Sequence, residues 1–335
     1  MARIDTPIMI LFFNRPDSLK IVFDWVRKMG PSQLFLVQDG AREGNTEDIE
    51  KIEECRKIVE NIDWPCEVHR NYSEVNLTCD EREFSGISWC FEYVDRLIIL
   101  EDDVLPADSF YSFCGELLEK YKDDDRIHMI SGFNRAGKYT ETPYDYIFSN
   151  VSAGIGWATW KRVWDDVRTF KDLALLDNEE LAKYYGEILE NKDFASFTGL
   201  IKRAYAVRET DKRIGKVSSW ELLCGLSCAL QGRLCITPKV NMIKYIGITE
   251  DATHCVSDAK LIPGKIRKVL TQPSHEIEGE FKHPPYIVRD RIFEQKNRDA
   301  LKSSRFFSKC ESIFLKIRYG RIDLLKQALK RRLKK

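Results

Sequence analysis

The sequence predicts an α/β protein built on a mostly parallel β-sheet that is flanked by helices. Between Pro7 and Tyr121, apolar runs of strand length alternate with segments whose apolar residues have helical spacing. The runs are apolar without interruption, as expected of strands that are covered on both faces. With 335 residues, 43% of them hydrophobic, the chain can bury a large core.

The first two strand–helix units show this pattern clearly. Residues 7–13 are apolar and end at the turn-forming Asn14-Arg15-Pro16-Asp17, after which 18–29 has apolar residues at helical spacing. Residues 33–37 form a second apolar run, and 47–61 again shows a helical pattern. We therefore predict two strands and two helices in alternation.

The next two units repeat the order. The runs 66–71 and 96–100 are predicted as strands, and three carboxylates directly follow the second. Apolar spacing predicts helices over 84–94 and 108–121, with Asp108 as the N-cap residue of the latter.

Composition excludes several classes of protein. Lys plus Arg and Asp plus Glu both number 53, and the resulting net charge of zero argues against a nucleic-acid partner. The apolar runs 8–13 and 97–100 are far shorter than the roughly 20 residues that cross a bilayer. The chain starts directly with a strand-like run, so we expect no signal peptide and a soluble, cytoplasmic protein.

The ten cysteines are scattered along the chain and form no CxxC pair. A chain of this size needs no disulfides for stability, so we interpret them as free thiols in a reducing compartment. Cys224 and Cys228 lie four residues apart in an apolar helical pattern, which indicates a buried helix face rather than a zinc site.

Charge and prolines divide the chain into three parts. We predict a main domain over 1–262, a proline-containing linker over 263–295 and a basic helical tail over 296–335. The tail carries 14 Lys or Arg and three acidic residues, interleaved with apolar ones. This pattern favours a cationic amphipathic helix that lies on the inner face of a membrane. A solvated or partner-bound helix is the alternative.

Polar residues follow three predicted strands at their carboxyl ends. Ligands bind beyond these ends in parallel sheets, so Asn14/Arg15, Asp39 and 101–103 are expected on one rim. Glu101-Asp102-Asp103 are consecutive carboxylates, and their mutual repulsion favours a bound Mg²⁺ or Mn²⁺. Such a cation can stabilise a departing nucleotide diphosphate. A solvated acidic turn is the alternative.

Glu101-Asp102-Asp103 resembles the Asp-x-Asp-type motif of glycosyltransferases with the GT-A fold, which is Rossmann-like. The surrounding sequence resembles the branch-initiating N-acetylglucosaminyltransferase of N-glycan synthesis and, more closely, its bacterial relatives. The resemblance covers about residues 7 to 255, with its blocks in the family's order. The blocks are 13–16, 37–40, 76–79, 130–134, 156–160, 219–221, 241–247 and 250–254.

The resemblance implies a donor-binding set and a metal ligand. The donor-binding positions are Asn14, Arg15, Asp39, Gly40, Glu101, Asp102, Gly156, Trp157 and His254. Among them Arg15 would face the diphosphate and Asp39 the uridine, while Asp103 would be the side chain that binds Mn²⁺ or Mg²⁺. Local structure offers alternatives, which are a turn residue for Arg15 or Asp39, a core residue for Trp157 and a structural His254.

By the same resemblance Glu221 is the catalytic base. An inverting transfer needs a group that takes the proton of the acceptor hydroxyl. Leu222 and Leu223 replace the polar and aromatic residues common at these positions, which leaves the acceptor undefined. The alternative is a Glu that interacts favourably with a helix N-terminus.

Together these features predict a metal-dependent inverting glycosyltransferase. It would move a sugar from a nucleotide-diphosphate donor, such as UDP-N-acetylglucosamine, to a glycan, lipid-linked or other hydroxyl acceptor in surface polysaccharide or glycoconjugate synthesis. One alternative is a sugar nucleotidyltransferase, which would favour a Gly-rich loop after the first strand. The other is a non-catalytic protein that binds nucleotide sugars.

Overall fold

A computed structural model confirms the alternation of strands and helices. It describes residues 4–151, 153–169, 211, 215–217, 219–247, 259–301 and 305–323. The strands are β1 (Ile8–Phe12), β2 (Gln33–Gln38), β3 (Glu67–Tyr72), β4 (Arg96–Glu101), β5 (Val104–Pro106), β6 (Ile127–Ser131), β7 (Tyr146–Ser149), β8 (Trp157–Trp160), β9 (Leu234–Pro238) and β10 (Ile243–Tyr245). The helices are α1 (Pro16–Met29), α2 (Thr46–Val59), α3 (Cys79–Cys90), α4 (Ser109–Lys120), α5 (Lys161–Thr169), α6 (Trp220–Leu230), α7 (Gly264–Leu270), α8 (Arg291–Leu301) and α9 (Arg305–Arg318).

Eight of these strands form one sheet in the order β3-β2-β1-β4-β8-β6-β9-β7. Strands β3, β2, β1 and β4 run parallel to one another, as do β6 and β9, whereas β8 and β7 are antiparallel to their neighbours. β5 and β10 form a separate antiparallel pair. The predicted α/β class, with a mostly parallel Rossmann-like sheet flanked by helices, is confirmed.

Strand β1 shows why the central runs are apolar throughout. Ile8, Ile10 and Phe12 point into a core cluster that also contains residues of α1 and α4. Met9 and Leu11 point to the opposite face, into a cluster with residues of α3 and α6. Since side chains alternate along a strand, helices on both faces require an apolar residue at every position.

Helix α3 begins at Cys79, earlier than the predicted start at Phe84. The prediction followed apolar spacing, but the first turn is polar and carries acidic residues that suit a helix N-terminus. Arg82 and Glu83 are only 3% and 2% exposed. Apolar periodicity cannot reveal polar side chains on the buried face of a helix, so it placed the start too late.

The segment 263–295 contacts the main sheet and its helices. Ile277 and Phe281 belong to the same core cluster as β1. Glu276 accepts hydrogen bonds from the backbone N–H groups of Asp108 (2.9 Å) and Ser109 (2.8 Å). Asp108 is the N-cap residue of α4, as predicted, but its side chain makes no capping hydrogen bond, and the distant carboxylate of Glu276 caps the helix instead. The division into three parts remains a prediction.

Helix α9 lies in the predicted basic tail and exposes apolar side chains. Phe307, Ile313, Phe314 and Ile317 are 71%, 47%, 56% and 56% exposed. Within the described ranges, no helix is both long and apolar enough to span a bilayer. Association of this helix with a membrane surface remains a prediction.

The nine cysteines that the structure describes are all free thiols, as predicted. Cys224 and Cys228 are 3% and 4% exposed, which confirms the buried face of α6. The Sγ of Cys224 lies 3.1 Å from Nε2 of His128, which is fully buried. Burial, with Arg233 nearby, lowers the pKa of His128 to about 3.

We expect His128 to make folding sensitive to acid. Between pH 6.5 and about 3, the unfolded chain binds a proton at this residue that the folded chain does not, so the free energy of unfolding falls as pH falls. At pH 5 this amounts to about 2 kcal/mol. Urea unfolding at pH 7 and pH 5 should show that the stability difference between wild type and His128→Gln shrinks by about this amount. Parallel pH dependence in the two proteins would contradict the prediction.

Candidate active site

The exits of β1, β2 and β4 meet at one edge of the sheet, as predicted. In the register of the sheet, Leu11 of β1 pairs with Glu101 of β4, and Phe12 pairs with Gln38 of β2. The three strands are parallel, so the residues that follow them leave the sheet side by side.

Arg15 connects the exit of β1 to the carboxylates after β4. Its Nη1 lies 2.5 Å from Oδ2 of Asp103 and 3.4 Å from Oδ1 of Asp102. The backbone N–H of Phe13 donates a hydrogen bond of 3.1 Å to Oδ2 of Asp102, which fixes the two exits together. A guanidinium held at the end of parallel strands is well suited to bind phosphate.

Negative charge is concentrated on the same rim. Burial, followed by the charge of Asp103, raises the pKa of Asp102 to about 7. Burial and the charges of Asp103, Asp102 and Glu221 raise the pKa of Glu101 well above its ordinary value. Arg15 opposes these shifts but does not cancel them. The cluster is therefore stabilised by added positive charge.

Asp103 has the surroundings expected of a single metal-binding carboxylate. Its Oδ1 is buried and accepts no hydrogen bond from any described residue. Tyr245 and Arg15 contact the side chain through hydrogen bonds that lower its pKa, whereas burial, the largest cause, raises it. A Cβ at Gly247 would overlap the Asp103 carboxylate, so the backbone encloses it closely. Hard carboxylate oxygen suits Mg²⁺ or Mn²⁺, and this donor fits such an ion.

The described ranges contain no group of three or more His, Cys, Asp or Glu side chains arranged to hold a metal. A cation at Asp103 would thus take its remaining ligands from water and from the oxygens of a bound substrate. Mg²⁺ in particular is often held in this way, by one or two carboxylates together with phosphate oxygens.

Asp39 has a structural role that the sequence did not reveal. Its carboxylate accepts hydrogen bonds from the backbone N–H groups of Leu77 (2.8 Å), Thr78 (3.1 Å) and Gly40 (3.0 Å). Burial raises the pKa of Asp39, and these N–H groups counteract the rise. Thr78 has φ of 76°, a conformation that β-branched residues rarely adopt. Asp39 therefore holds a strained turn at the start of α3.

Asn14 and Gly40 also bind neighbouring loops. The Asn14 amide donates a 2.8 Å hydrogen bond to Asp48, which in turn pairs with Arg42 at 2.6 Å. A Cβ at Gly40 would lie 2.6 Å from the backbone of Val75, so only glycine fits there. These contacts shape the rim, and direct contact of Asn14, Asp39 or Gly40 with a nucleotide remains a prediction.

Gly156 and Trp157 lie where β8 enters the sheet. Gly156 has φ of 61°, and a Cβ there would lie 2.5 Å from the Ile243 side chain. Trp157 is 1% exposed, and its ring stacks on Trp220 with centroids 5.4 Å apart. Trp157 is therefore a core residue, the alternative considered above, and does not present its ring to a sugar. It supports Trp220, which directly precedes Glu221.

Glu221 lies in the first turn of α6, and its side chain is exposed. Its negative charge contributes to the raised pKa of both Glu83 and Glu101, so the three carboxylates are close enough to interact. Burial lowers the pKa of Arg135, and the negative charge of Glu221 opposes this shift. The structure thus places Glu221 close enough to the end of β4 for its charge to act on Glu101.

Sequence reasoning missed two residues of this candidate site. Glu83 is buried, its Oε1 has no hydrogen-bond partner among the described residues, and burial raises its pKa well above the ordinary value. Tyr245 donates to Asp103 from β10. The only available signal was that Tyr245 lies within the block 241–247 and Glu83 directly precedes an apolar helical run. His254 lies outside the described residues.

Similarity to known proteins is found only at the level of structure. No protein-family model matches the chain, and no curated protein has a significant match. Among solved structures, a 4-diphosphocytidyl-2C-methyl-D-erythritol synthase from Anaerococcus prevotii is 13% identical with a TM-score of 0.32, covering 60% of this chain and 86% of its own. A UDP-glucose pyrophosphorylase complexed with UDP-glucose is 9% identical with a TM-score of 0.27, covering 50% and 78% respectively. Similarities at this level do not assign an activity to the chain.

Proposed function

We propose that this protein is a metal-dependent inverting glycosyltransferase that uses a nucleotide-diphosphate sugar, in particular a UDP-sugar such as UDP-N-acetylglucosamine. The observation that carries the proposal is the grouping of Arg15, residues 101–103 and Glu221 at the carboxyl ends of parallel strands. Such strand ends bind ligands in α/β proteins. The group combines a cation for a diphosphate with a separate, exposed carboxylate for an acceptor.

The proposed chemistry assigns one task to each part of the cleft. Arg15 binds the donor diphosphate and is held in place by Asp102 and Asp103. Glu221 takes the proton of the acceptor hydroxyl as its oxygen bonds to the anomeric carbon. The bond from that carbon to the diphosphate breaks, and the electron pair leaves with the UDP. Attack opposite to the leaving group inverts the anomeric centre.

Asp103 is the residue that would hold Mn²⁺ or Mg²⁺, through its buried Oδ1. When bound, the cation supplies positive charge that stabilises the diphosphate as it leaves. Arg15 adds a second positive charge on the same side. Glu101 and Asp102 are then available to the ribose and the donor sugar, because carboxylates accept hydrogen bonds from hydroxyl groups.

The loop after β1 favours this proposal over a sugar nucleotidyltransferase. In place of a Gly-rich phosphate loop, the chain has Asn14, whose amide is bound to Asp48, and Pro16, which begins α1. The loop therefore presents the side chain of Arg15 rather than a row of backbone N–H groups. A non-catalytic binding protein would need neither Glu221 near the cleft nor its exposure.

A thermal-shift panel with product analysis tests the proposal. We expect UDP-sugars with Mn²⁺ to raise the melting temperature, since a ligand that binds only the folded state stabilises it by about 2.7 kcal/mol at 100 times its dissociation constant. Incubation with an acceptor should then release UDP. Release of pyrophosphate instead would indicate a nucleotidyltransferase, and binding without release of either product would indicate a binding protein. A shift with another nucleotide series alone would refute the UDP assignment.

A further inference from the structure

A cavity of about 820 Å³ lies outside the set of residues assigned to the proposed active site. It is lined by the loop 135–138 after β6, by α7, by the segment 271–275 and by α8. Its volume lies within the range of small-molecule sites in proteins. None of its lining residues belongs to the donor-binding set described above.

The cavity is strongly basic. Its lining includes Arg135, Lys138, Lys265, Lys268 and Lys296, against a single acidic residue, Asp299. Lys296 pairs with Glu141. Lys138 and Lys268 form no ion pair with any described residue, and both are exposed. Since the whole chain has a net charge of zero, this concentration of positive charge is a local feature that attracts anions.

Two buried asparagines fix the walls of this cavity. Asn134 and Asn241 are fully buried, and Oδ1 of Asn241 accepts the backbone N–H of Asn134 at 3.2 Å. The amide of Asn241 also donates to the carbonyl of Pro273 at 2.9 Å, and Gln272 donates to the carbonyl of Asn134 at 2.8 Å. The loop after β6 and the segment after α7 are therefore held together before any ligand binds. A preorganised site loses less entropy on binding.

Arg135 joins this cavity to the proposed catalytic centre. It lines the cavity, and its charge interacts with that of Glu221. Arg135 is therefore the lining residue that relates the cavity to the carboxylate proposed to activate the acceptor. The donor diphosphate is assigned to Arg15, on the rim formed by β1 and β4, so the cavity is available to the other substrate.

We propose that this cavity binds a phosphate group of the acceptor substrate, an inference that rests on the glycosyltransferase function proposed above. Lysine ammonium groups are compact charges that bind phosphate, and several of them around one cavity favour a multiply charged group. The phosphate belongs either to a phosphorylated sugar or to a lipid carrier. The backbone N–H of Gly264, at the start of α7, donates to Glu311 of α9 at 3.0 Å. The cavity wall is therefore in contact with the helix that exposes apolar side chains.

The test is calorimetric titration of the full chain with the donor site saturated by UDP and Mn²⁺. The probes are glucose 1-phosphate, farnesyl diphosphate and, as the uncharged control, methyl α-glucoside. We expect at least one phosphate probe to bind. Lys138→Glu and Lys268→Glu should each lower the affinity for that probe about tenfold or more, as for the loss of a charged hydrogen bond. Preference for farnesyl diphosphate identifies a lipid carrier, and preference for glucose 1-phosphate identifies a sugar phosphate.

Lys57→Glu is the matched control, because Lys57 is exposed on α2 and the substitution makes the same change in charge. It should change the affinity for the phosphate probes by less than about twofold, as expected for an isolated surface charge. Equal binding by all three variants, or no binding of either phosphate probe, would overturn the inference. UDP binding is measured first and on its own, so its absence counts against the proposed function rather than against the cavity. Unchanged UDP affinity in the variants shows that they are folded.

Discussion

Replacing Glu221 by Gln is expected to lower the rate of sugar transfer by about 10²- to 10⁴-fold, the usual contribution of a general base. Gln keeps the size and hydrogen-bonding capacity of the side chain but cannot take the acceptor proton. Affinity for the UDP-sugar should change little, because the donor diphosphate is assigned to Arg15. Steady-state transfer rates and titration of the donor measure the two effects separately.

The control for this experiment is Glu54→Gln, on the exposed face of α2, which should leave both quantities unchanged. If Glu221 only stabilises the start of α6, Glu221→Gln would lower the free energy of unfolding by about 0.3 to 1 kcal/mol. The melting temperature would fall accordingly, and turnover would stay intact. That result would remove Glu221 from the role of base. A loss of donor affinity as large as the loss of rate would instead indicate a binding role.

Replacing Asp103 by Asn is expected to abolish the dependence of donor binding on Mn²⁺. A neutral amide is a poor ligand for a hard cation. Substitution of residues that only support a metal ligand already lowers metal affinity about 10- to 100-fold, so loss of the ligand itself should have at least this effect. The melting temperature without ligand should stay the same or rise, because Asp103 is one of several buried carboxylates that repel one another. The measurement is the additional thermal shift that Mn²⁺ gives with a UDP-sugar.

Asp17→Asn provides the control for Asp103→Asn. Asp17 is exposed in the first turn of α1, two residues after Arg15, so its loss changes the charge near the rim without touching the proposed metal ligand. It should retain the full effect of Mn²⁺. An undiminished Mn²⁺ effect in Asp103→Asn would show that the cation binds elsewhere.

The sequence predicted the rim because its cause is local. A buried apolar run that stops at a polar residue marks a strand end, and parallel strands place their ends together, so Arg15, Asp39 and Asp103 could be grouped without a structure. The start of α3 was missed because Glu83 is polar and buried. Periodicity assumes that the inward face of a helix is apolar, and it fails where that face carries a buried carboxylate.

Contacts between residues far apart in the chain could not be read from local pattern. The bonds of Asp39 to the turn before α3 depend on how β2 and that turn meet. The capping of α4 by Glu276 joins residues separated by about half the chain. The burial of Trp157 depends on Trp220, which stacks on it from another element. A tryptophan after glycines is compatible with a sugar platform and with a core residue, and only the packing of α6 distinguishes them.

The close contact between Gly247 and Asp103 restricts how this protein can be re-engineered. Any side chain at position 247 would strike the carboxylate, and a displaced Asp103 would also disturb its pairing with Arg15. Libraries that aim to change the accepted nucleotide sugar should therefore keep glycine at this position. Diversity is better introduced at Tyr245, where a hydroxyl can be removed without new bulk and the basicity of the carboxylate can be tuned from the side.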